Sequence, residues 1–351
     1  MLRVGINGLG RIGRAILRRN MEVQAFEIVA VNDINPDISN IAYTLNFDTI
    51  YGRLQDGFKV EADVMYNSHS KIKVSHESSI ANVPWKDLGV DVVIDASGVQ
   101  ANVLAARETL KKNNLQTLFV THSPKSGVDY TMVLGANEQG YNPKAHEVVA
   151  SSICDATALA PVMKGIHDAF GLQSGAVTTL HPWLNYQNLM DGPASSWSVP
   201  GEIYHHYALG RSAIGNMIPK PTTAIEATCR VVSALQEENI ASFSYRTPTA
   251  IVGSADLTLV LKKSTKKEDV VALFQEMEAS QSWNIIHNNC EPLVSLDFVR
   301  SAHSAIVDHR WTDVVGGNLL KMVLWYDNEW GYALRVVEQV VFVQKQRAEA
   351  K

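Results

Sequence analysis

The sequence predicts an α/β protein in two parts: a doubly wound, parallel-sheet domain, then an α+β domain with a mixed, largely antiparallel sheet. Three observations carry this expectation. A short apolar strand at the start of the chain runs into Gly8-x-Gly10-x-x-Gly13 and a helix. Strands and helices then alternate as far as Ser151, without low-complexity linkers or a solenoid period. After Cys154 the pattern changes to one long helix followed by longer strands, the mark of a more antiparallel sheet.

The elements follow in order. Residues 3–6 form the first strand, 14–20 its helix, and 26–31 a second strand ending at Asp33. Gly8 permits the tight turn, Gly10 lets backbone N–H groups approach a pyrophosphate, and Gly13 allows close helix–sheet packing, with the helix N-terminus favouring the anion. Asp33 falls where an acidic side chain meets the ribose hydroxyls of NAD. The arrangement is that of a Rossmann dinucleotide site; the plain alternative is a strand–turn–helix with Asp33 as a helix cap. Segments 90–95 (VDVVID), 117–121 (TLFVT) and 147–151 (EVVAS) read as buried parallel strands, and 101–112 as a crossover helix. Beyond them come a helix over 156–170, strands over 176–180, 257–262, 293–298 and 319–325, and a last amphipathic helix over 329–346. Its Leu334, Val337, Val340 and Val341 are expected to form one apolar stripe.

Composition bounds the function. A chain of 351 residues with 46% hydrophobic residues suffices for two cores, and a formal charge of −5 argues against nucleic acid or anionic membranes as partners. No stretch is apolar enough to span a bilayer, and Met1 leads straight into the first strand, so a cytoplasmic location is expected. Cys154, Cys229 and Cys290 are odd in number and lack CxxC spacing, which suggests neither a disulfide framework nor a zinc site; His205-His206 alone is too little for a metal. No metal is expected.

NGLGRIGR, Asn32-Asp33, LGVDVVIDASGV, Ala158-Leu159-Ala160-Pro161 just after a cysteine, and WYDNEWGY ending at Tyr332 together resemble the glyceraldehyde-3-phosphate dehydrogenase family nearly end to end. VPWKDLGVDVV and HSAIVD look closer to its erythrose-4-phosphate dehydrogenase branch. The resemblance implies an NAD-binding domain over 1–153, a catalytic domain over 154–327, and a C-terminal helix over 328–351 that packs back on the first domain. It also implies a homotetramer and the NAD-dependent oxidation of a small phosphorylated sugar aldehyde through a thiohemiacetal and a thioester. The matching nucleophile is Cys154 and the matching base His181; Arg11 and Ile12 match backbone donors to the pyrophosphate, Asn328 the carboxamide ligand, and Tyr332 its packing neighbour. Thr222, Arg246 and Arg211 match residues of the phosphate sites. Cys229 and Cys290 match nothing catalytic. Independently of any family, a thiol at a strand-to-helix junction beside an imidazole is placed to have its pKa lowered from the free value of about 8.5.

The substrate side departs from the family pattern. Where the family carries Ser-Cys-Thr-Thr-Asn-Cys, this chain has Ile153-Cys154-Asp155-Ala156-Thr157-Ala158, so two hydroxyls that in the family pattern help hold inorganic phosphate are gone, and Asp155 opposes both thiol ionisation and phosphate binding. The bland alternative makes Asp155 a helix cap. Where two threonines usually follow the histidine this chain has Leu184 and Tyr186; the erythrose-4-phosphate branch also lacks those threonines, and here Thr223 replaces a glycine. The loop between His181 and Arg211 is longer than usual, with Ser195, Trp197, Pro200, Tyr204, His205, His206 and Tyr207 in the excess. Two alternatives follow: erythrose-4-phosphate dehydrogenase activity with hydrolytic deacylation, and an NAD-binding, non-catalytic regulatory homologue.

Overall fold

The computed structural model describes residues 1–194 and 206–350. Of the long loop, His206 and Tyr207 are described; Ser195, Trp197, Pro200, Tyr204 and His205 lie outside the described residues. The chain divides into two compact units, one comprising Met1–Met132, Gly140–Ser152 and Ala333–Lys351, the other Val133–Gln139 and Ile153–Tyr332.

The first unit is built on a nine-stranded sheet. Its strands run in the order Tyr130–Thr131, Val148–Ala150, Thr117–Val120, Val92–Asp95, Arg3–Asn7, Glu27–Asn32, Lys71–Ser75, Val64–Tyr66, Lys59–Glu61. Every pairing through Lys71–Ser75 is parallel, and the last two strands add an antiparallel edge. The sheet is doubly wound, and the order reverses at Arg3–Asn7, whose C-terminal end is therefore the crevice where such sheets bind ligands. Val4, Ile6, Val92, Val93, Ile94, Leu118 and Phe119 are fully buried, as central parallel strands require.

Two expectations for this unit are corrected. The crossover helix over 101–112 is two helices, Gln100–Leu104 and Ala106–Asn113, joined at Ala105. The Ala105 carbonyl receives both Thr109 N and Thr109 Oγ1, each at 2.9 Å, and a threonine bonding back in this way bends a helix. The last helix spans Trp330–Glu349, and Val341 lies outside its apolar stripe at 44% exposure. Leu334, Val337 and Val340 are buried as expected, Val336 and Val343 are buried with them, and Gln339 Nε2 donates to Met132 O at 3.0 Å.

The second unit holds an eight-stranded mixed sheet, Ile218–Lys220, Ile240–Thr247, Leu172–Pro182, Gly253–Leu261, Leu319–Tyr326, Ala305–Asp308 and Ile286–Asn289, with Asp313–Val315 also against Leu319–Tyr326. Among the described residues two pairings are parallel, Leu172–Pro182 with Ile240–Thr247 and Ile286–Asn289 with Ala305–Asp308, and the rest are antiparallel. The buried helix Cys154–Phe170 belongs to this unit. The expected strand over 293–298 is a single 3-10 turn, Ser295–Phe298. Pro292 lacks the N–H that a ladder needs, and Asp297 Oδ2 accepts from Val294 N at 2.8 Å to close the turn.

Candidate active site

In the first unit the glycine loop has the form a dinucleotide needs. Gly8 sits at φ +91°, and a β-carbon on Gly13 would lie 2.0 Å from Gly8 O, so neither position admits a side chain. Gly10 precedes the helix Arg11–Val23 as its N-cap with no side-chain hydrogen bond, which leaves the first-turn amides for an anion. Asp33 is not a helix cap. Its Oδ2 accepts from Leu9 N at 2.7 Å and its Oδ1 from Asn35 N at 2.9 Å, so it braces the loop, while Asp37 caps the next helix through Ser39 N at 2.9 Å. The Arg11 guanidinium pairs with Asp48 and lies 5.7 Å from the Tyr51 ring centroid, so what Arg11 and Ile12 offer a pyrophosphate is backbone. These residues fit NAD.

Sequence reasoning missed the network beneath this loop. Asn7 Nδ2 donates to Asp95 Oδ1 at 2.9 Å and Asn32 Nδ2 donates to Asn7 Oδ1 at 2.8 Å, which ties three strand ends together. Burial pushes the Asp95 carboxyl up, against the pull of its Ser97 and Asn7 hydrogen bonds.

The second unit carries the thiol. Cys154 is the first residue of its helix, half-buried, with Ile153 as an N-cap that offers no side-chain bond. His181 lies near the end of Leu172–Pro182, and its Nε2 is 3.6 Å from Cys154 Sγ. Its Nδ1 is 2.8 Å from Pro182 O. A carbonyl only accepts, so Nδ1 carries the proton and Nε2 presents its lone pair to the thiol.

Register sets the electrostatics. His181 is paired with Arg246 across the parallel strands, so imidazole and guanidinium stand side by side. Burial, then the Arg246 charge, lowers the His181 pKa to about 4. Burial, then the Asp155 charge, pushes the Cys154 thiol well above its ordinary value. The direction is opposite to the one expected of a thiol at a helix start beside an imidazole: desolvation and the Asp155 carboxylate outweigh the Asp155 backbone N–H and the Arg246 charge, which pull the thiol down. Asp155 does not cap the helix; its Oδ1 accepts from Tyr326 OH at 2.8 Å and lies 3.7 Å from Cys154 Sγ.

A cavity of about 300 Å³ opens over this pair, lined by Ile153, Cys154, Asp155, His181, Lys220, Thr222, Ser244 and Arg246 among others. Arg246 is buried, and its Nη2 donates to Tyr186 OH at 3.2 Å, so the residue standing where the family has a threonine orients the guanidinium. Thr222 Oγ1 accepts from Ala224 N at 3.2 Å at the start of the helix Ala224–Val231. Lys220 was not anticipated. Burial, then Arg246, lowers its pKa to about 8. Two cations and a threonine hydroxyl facing one cavity suit a phosphate.

Residues 153–328 match the description "Glyceraldehyde 3-phosphate dehydrogenase, C-terminal domain", and residues 2–103 match "Glyceraldehyde 3-phosphate dehydrogenase, NAD binding domain". The chain belongs to the glyceraldehyde-3-phosphate dehydrogenase family. It is 34% identical over 346 residues to glyceraldehyde-3-phosphate dehydrogenase 2 of Streptomyces avermitilis, covering 98% of this chain and 99% of that protein. It is 34% identical to glyceraldehyde-3-phosphate dehydrogenase 1 of Agaricus bisporus, over 98% of this chain and 99% of the other. Against the glyceraldehyde-3-phosphate dehydrogenase of Geobacillus stearothermophilus the identity is 32%, over 97% and 98%. The family is one of NAD-dependent oxidoreductases, and the N-terminal unit of this chain carries its NAD-binding sequence.

The remaining residues matched to the glyceraldehyde-3-phosphate dehydrogenase pattern divide. Asn328 is buried and its Oδ1 accepts from Val252 N at 3.1 Å, which fixes the amide; Tyr332 is buried a turn further on. Arg211 is not brought to the cavity. Its Nε bonds Asp191 Oδ2 at 2.9 Å and both side chains are exposed, the ordinary arrangement of a surface ion pair. Burial, then Glu237 and Glu238, raises the Cys229 pKa to about 11, which makes it an inert thiol. Among the described residues no helix is long and apolar enough to cross a membrane.

Proposed function

We propose that this chain oxidises a small phosphorylated sugar aldehyde, with glyceraldehyde 3-phosphate as first candidate, using Cys154 as nucleophile and His181 as base. The observation that carries this reading is the placement of the His181 ring: Nδ1 lies 2.8 Å from Pro182 O and Nε2 3.6 Å from Cys154 Sγ, so the tautomer that the carbonyl requires turns Nε2 to the thiol as an acceptor. Nε2 takes the thiol proton as Sγ adds to the aldehyde carbon. The new oxyanion is held by the uncapped N-terminal amide of Cys154 and by the Nε2–H just formed, which returns the proton to give a thiohemiacetal. NAD, when bound, supplies the hydride acceptor. His181 removes the hydroxyl proton as the carbon loses its hydride, leaving a thioester on Sγ. Lys220, Arg246 and Thr222 hold the substrate phosphate.

Deacylation by water is the second reading, favoured by Ile153 and Asp155, which offer a free phosphate no donor beside the thioester. Leu184 and Tyr186 replace threonines that the erythrose-4-phosphate branch pattern lacks as well, which leaves a four-carbon substrate as its companion. A non-catalytic NAD-binding homologue would have no need of the ordered thiol–imidazole pair. By the family pattern we also propose a homotetramer and, from the charge and the lack of a spanning helix, a cytoplasmic enzyme. The test is a single-turnover burst with NAD and glyceraldehyde 3-phosphate. One NADH per subunit, lost in Cys154→Ser, is expected; no burst with any three- to five-carbon phosphorylated aldehyde overturns the reading.

A further inference from the structure

We propose that Cys154, Asp155 and His181 form a zinc site that takes the nucleophile out of the dehydrogenase reaction. Their three donor atoms lie within 4.8 Å of one another. Sγ is 3.6 Å from His181 Nε2 and 3.7 Å from Asp155 Oδ1. Tetrahedral zinc, with bonds of about 2.3 Å to sulfur and about 2.1 Å to nitrogen or oxygen, sets S···N and S···O edges of about 3.6 Å. Two edges of the tetrahedron are therefore already in place, and the third, from His181 Nε2 to the Asp155 oxygen, lies within 4.8 Å and has to close to about 3.4 Å as the ion binds.

The donor set selects the ion. One thiolate, one imidazole and one carboxylate suit zinc; magnesium and calcium prefer all-oxygen shells with more ligands. The outer partners are those of a metal site as well. His181 Nδ1–H donates to Pro182 O at 2.8 Å, which fixes the ring with Nε2 inward, and Tyr326 OH donates to Asp155 Oδ1 at 2.8 Å, which fixes the carboxylate. Thiolate and carboxylate together offset the two charges of the ion, with Arg246 and Lys220 as the opposing cations lining the same cavity. The fourth position opens to that cavity. Asp155, a hindrance to a free thiolate, is thereby an asset to a metal-bound one.

Binding involves no redox change. The thiol loses its proton to water as the S–Zn bond forms, Nε2 donates its lone pair, and the carboxylate binds as the anion. With its sulfur lone pair held by the metal, Cys154 no longer attacks an aldehyde. That inhibitory consequence rests on Cys154 being the nucleophile; the binding itself does not, and is measured without turnover.

The experiment is a competition titration of Zn2+ against a chromophoric chelator, with the full-length protein and no NAD or substrate. Wild type is expected to take one ion per subunit, and Cys154→Ser and His181→Asn to lose it. Asp155→Asn, which keeps the shape and the Tyr326 bond, decides the matter. If Asp155 only repels the thiolate, its removal eases thiol ionisation and zinc binds equally or more tightly. If Asp155 is a ligand, affinity falls by about tenfold or more, at least what losing an outer-shell partner costs. Substitution with Co2+ reads geometry independently of folding yield: a tetrahedral visible spectrum with a sulfur-to-metal band is expected. Unchanged or tighter zinc binding by Asp155→Asn, or an octahedral cobalt spectrum, overturns the site.

Discussion

Tyr326 donates its hydroxyl to Asp155 Oδ1 at 2.8 Å, a bond between residues far apart in the chain and both buried. It holds a carboxylate against the thiol that has to ionise. A buried charge next to a developing like charge costs far more than the same pair in water. Tyr326 itself is pushed well above its ordinary pKa, by burial first and then by the Asp155 charge, so it remains a donor at every working pH.

Asp155→Asn is therefore expected to lower the Cys154 pKa by about one pH unit or more, the range for removing a like charge in contact. At neutral pH the thiolate fraction, and with it the rate of alkylation by iodoacetamide, should rise about tenfold for each pH unit by which the pKa falls. The measurement is the alkylation rate against pH. An unmoved profile would show that burial alone sets the thiol.

His181→Asn should slow the NADH burst by about 10² to 10⁴-fold, the range for losing a positioned acid–base group. The wild-type profile carries a further signature. His181 has to be neutral to accept a proton, and with its pKa lowered to about 4 it stays neutral from pH 7 down to that value. The His181-dependent limb of the burst should thus fall through about pH 4 and be missing in the variant. A limb at pH 6 to 7 would place the imidazole in water rather than in this site, because about 6.5 is its unperturbed value.

Lys220→Met probes the phosphate cavity. A charge-assisted hydrogen bond is worth about 1.5 to 3 kcal/mol, so KM for a phosphorylated aldehyde should rise by about 10-fold to 150-fold, with a smaller change in kcat. In wild type KM should rise with pH as the ammonium, held at about 8, gives up its proton; in Lys220→Met that dependence should vanish. Equal KM values across the pH range would remove Lys220 from the substrate site.

What was legible in the sequence was whatever is written in local pattern. The Gly8-to-Gly13 loop, the apolar parallel strands and the thiol at a helix start depend on neighbouring residues, and each emerged with ends shifted by a few positions. Residues that act through distant register were not legible. Lys220 in IPKP carries no local signal of a site; only its register, opposite Ser244, brings it beside Arg246. Asp155 reads as a first-turn acid until Tyr326 is brought to it, and the second task of Asp33, bracing the glycine loop, shows only when Leu9 N is found on its carboxylate. Val341 failed for a different reason: the first half of its helix is buried almost all round, so its apolar residues do not mark a single face.

The last prediction concerns release of the thioester. Phosphorolysis needs a second anion held beside the acyl sulfur, and there Ile153 offers no hydrogen bond while the Asp155 carboxylate is held by Tyr326 at 2.8 Å. Losing two charge-assisted bonds at about 1.5 to 3 kcal/mol each weakens free phosphate by at least about a hundredfold. Lys220, Arg246 and Thr222 remain, but they line one cavity, and the phosphate tethered to the substrate competes for it at a high effective concentration. Turnover is thus expected to depend only weakly on inorganic phosphate and to yield a large share of free acid. Ile153→Ser/Asp155→Thr should raise the phosphate dependence and shift the product towards acyl phosphate. Strong saturable activation of wild type by phosphate, with acyl phosphate as sole product, would mean that these two positions do not control release.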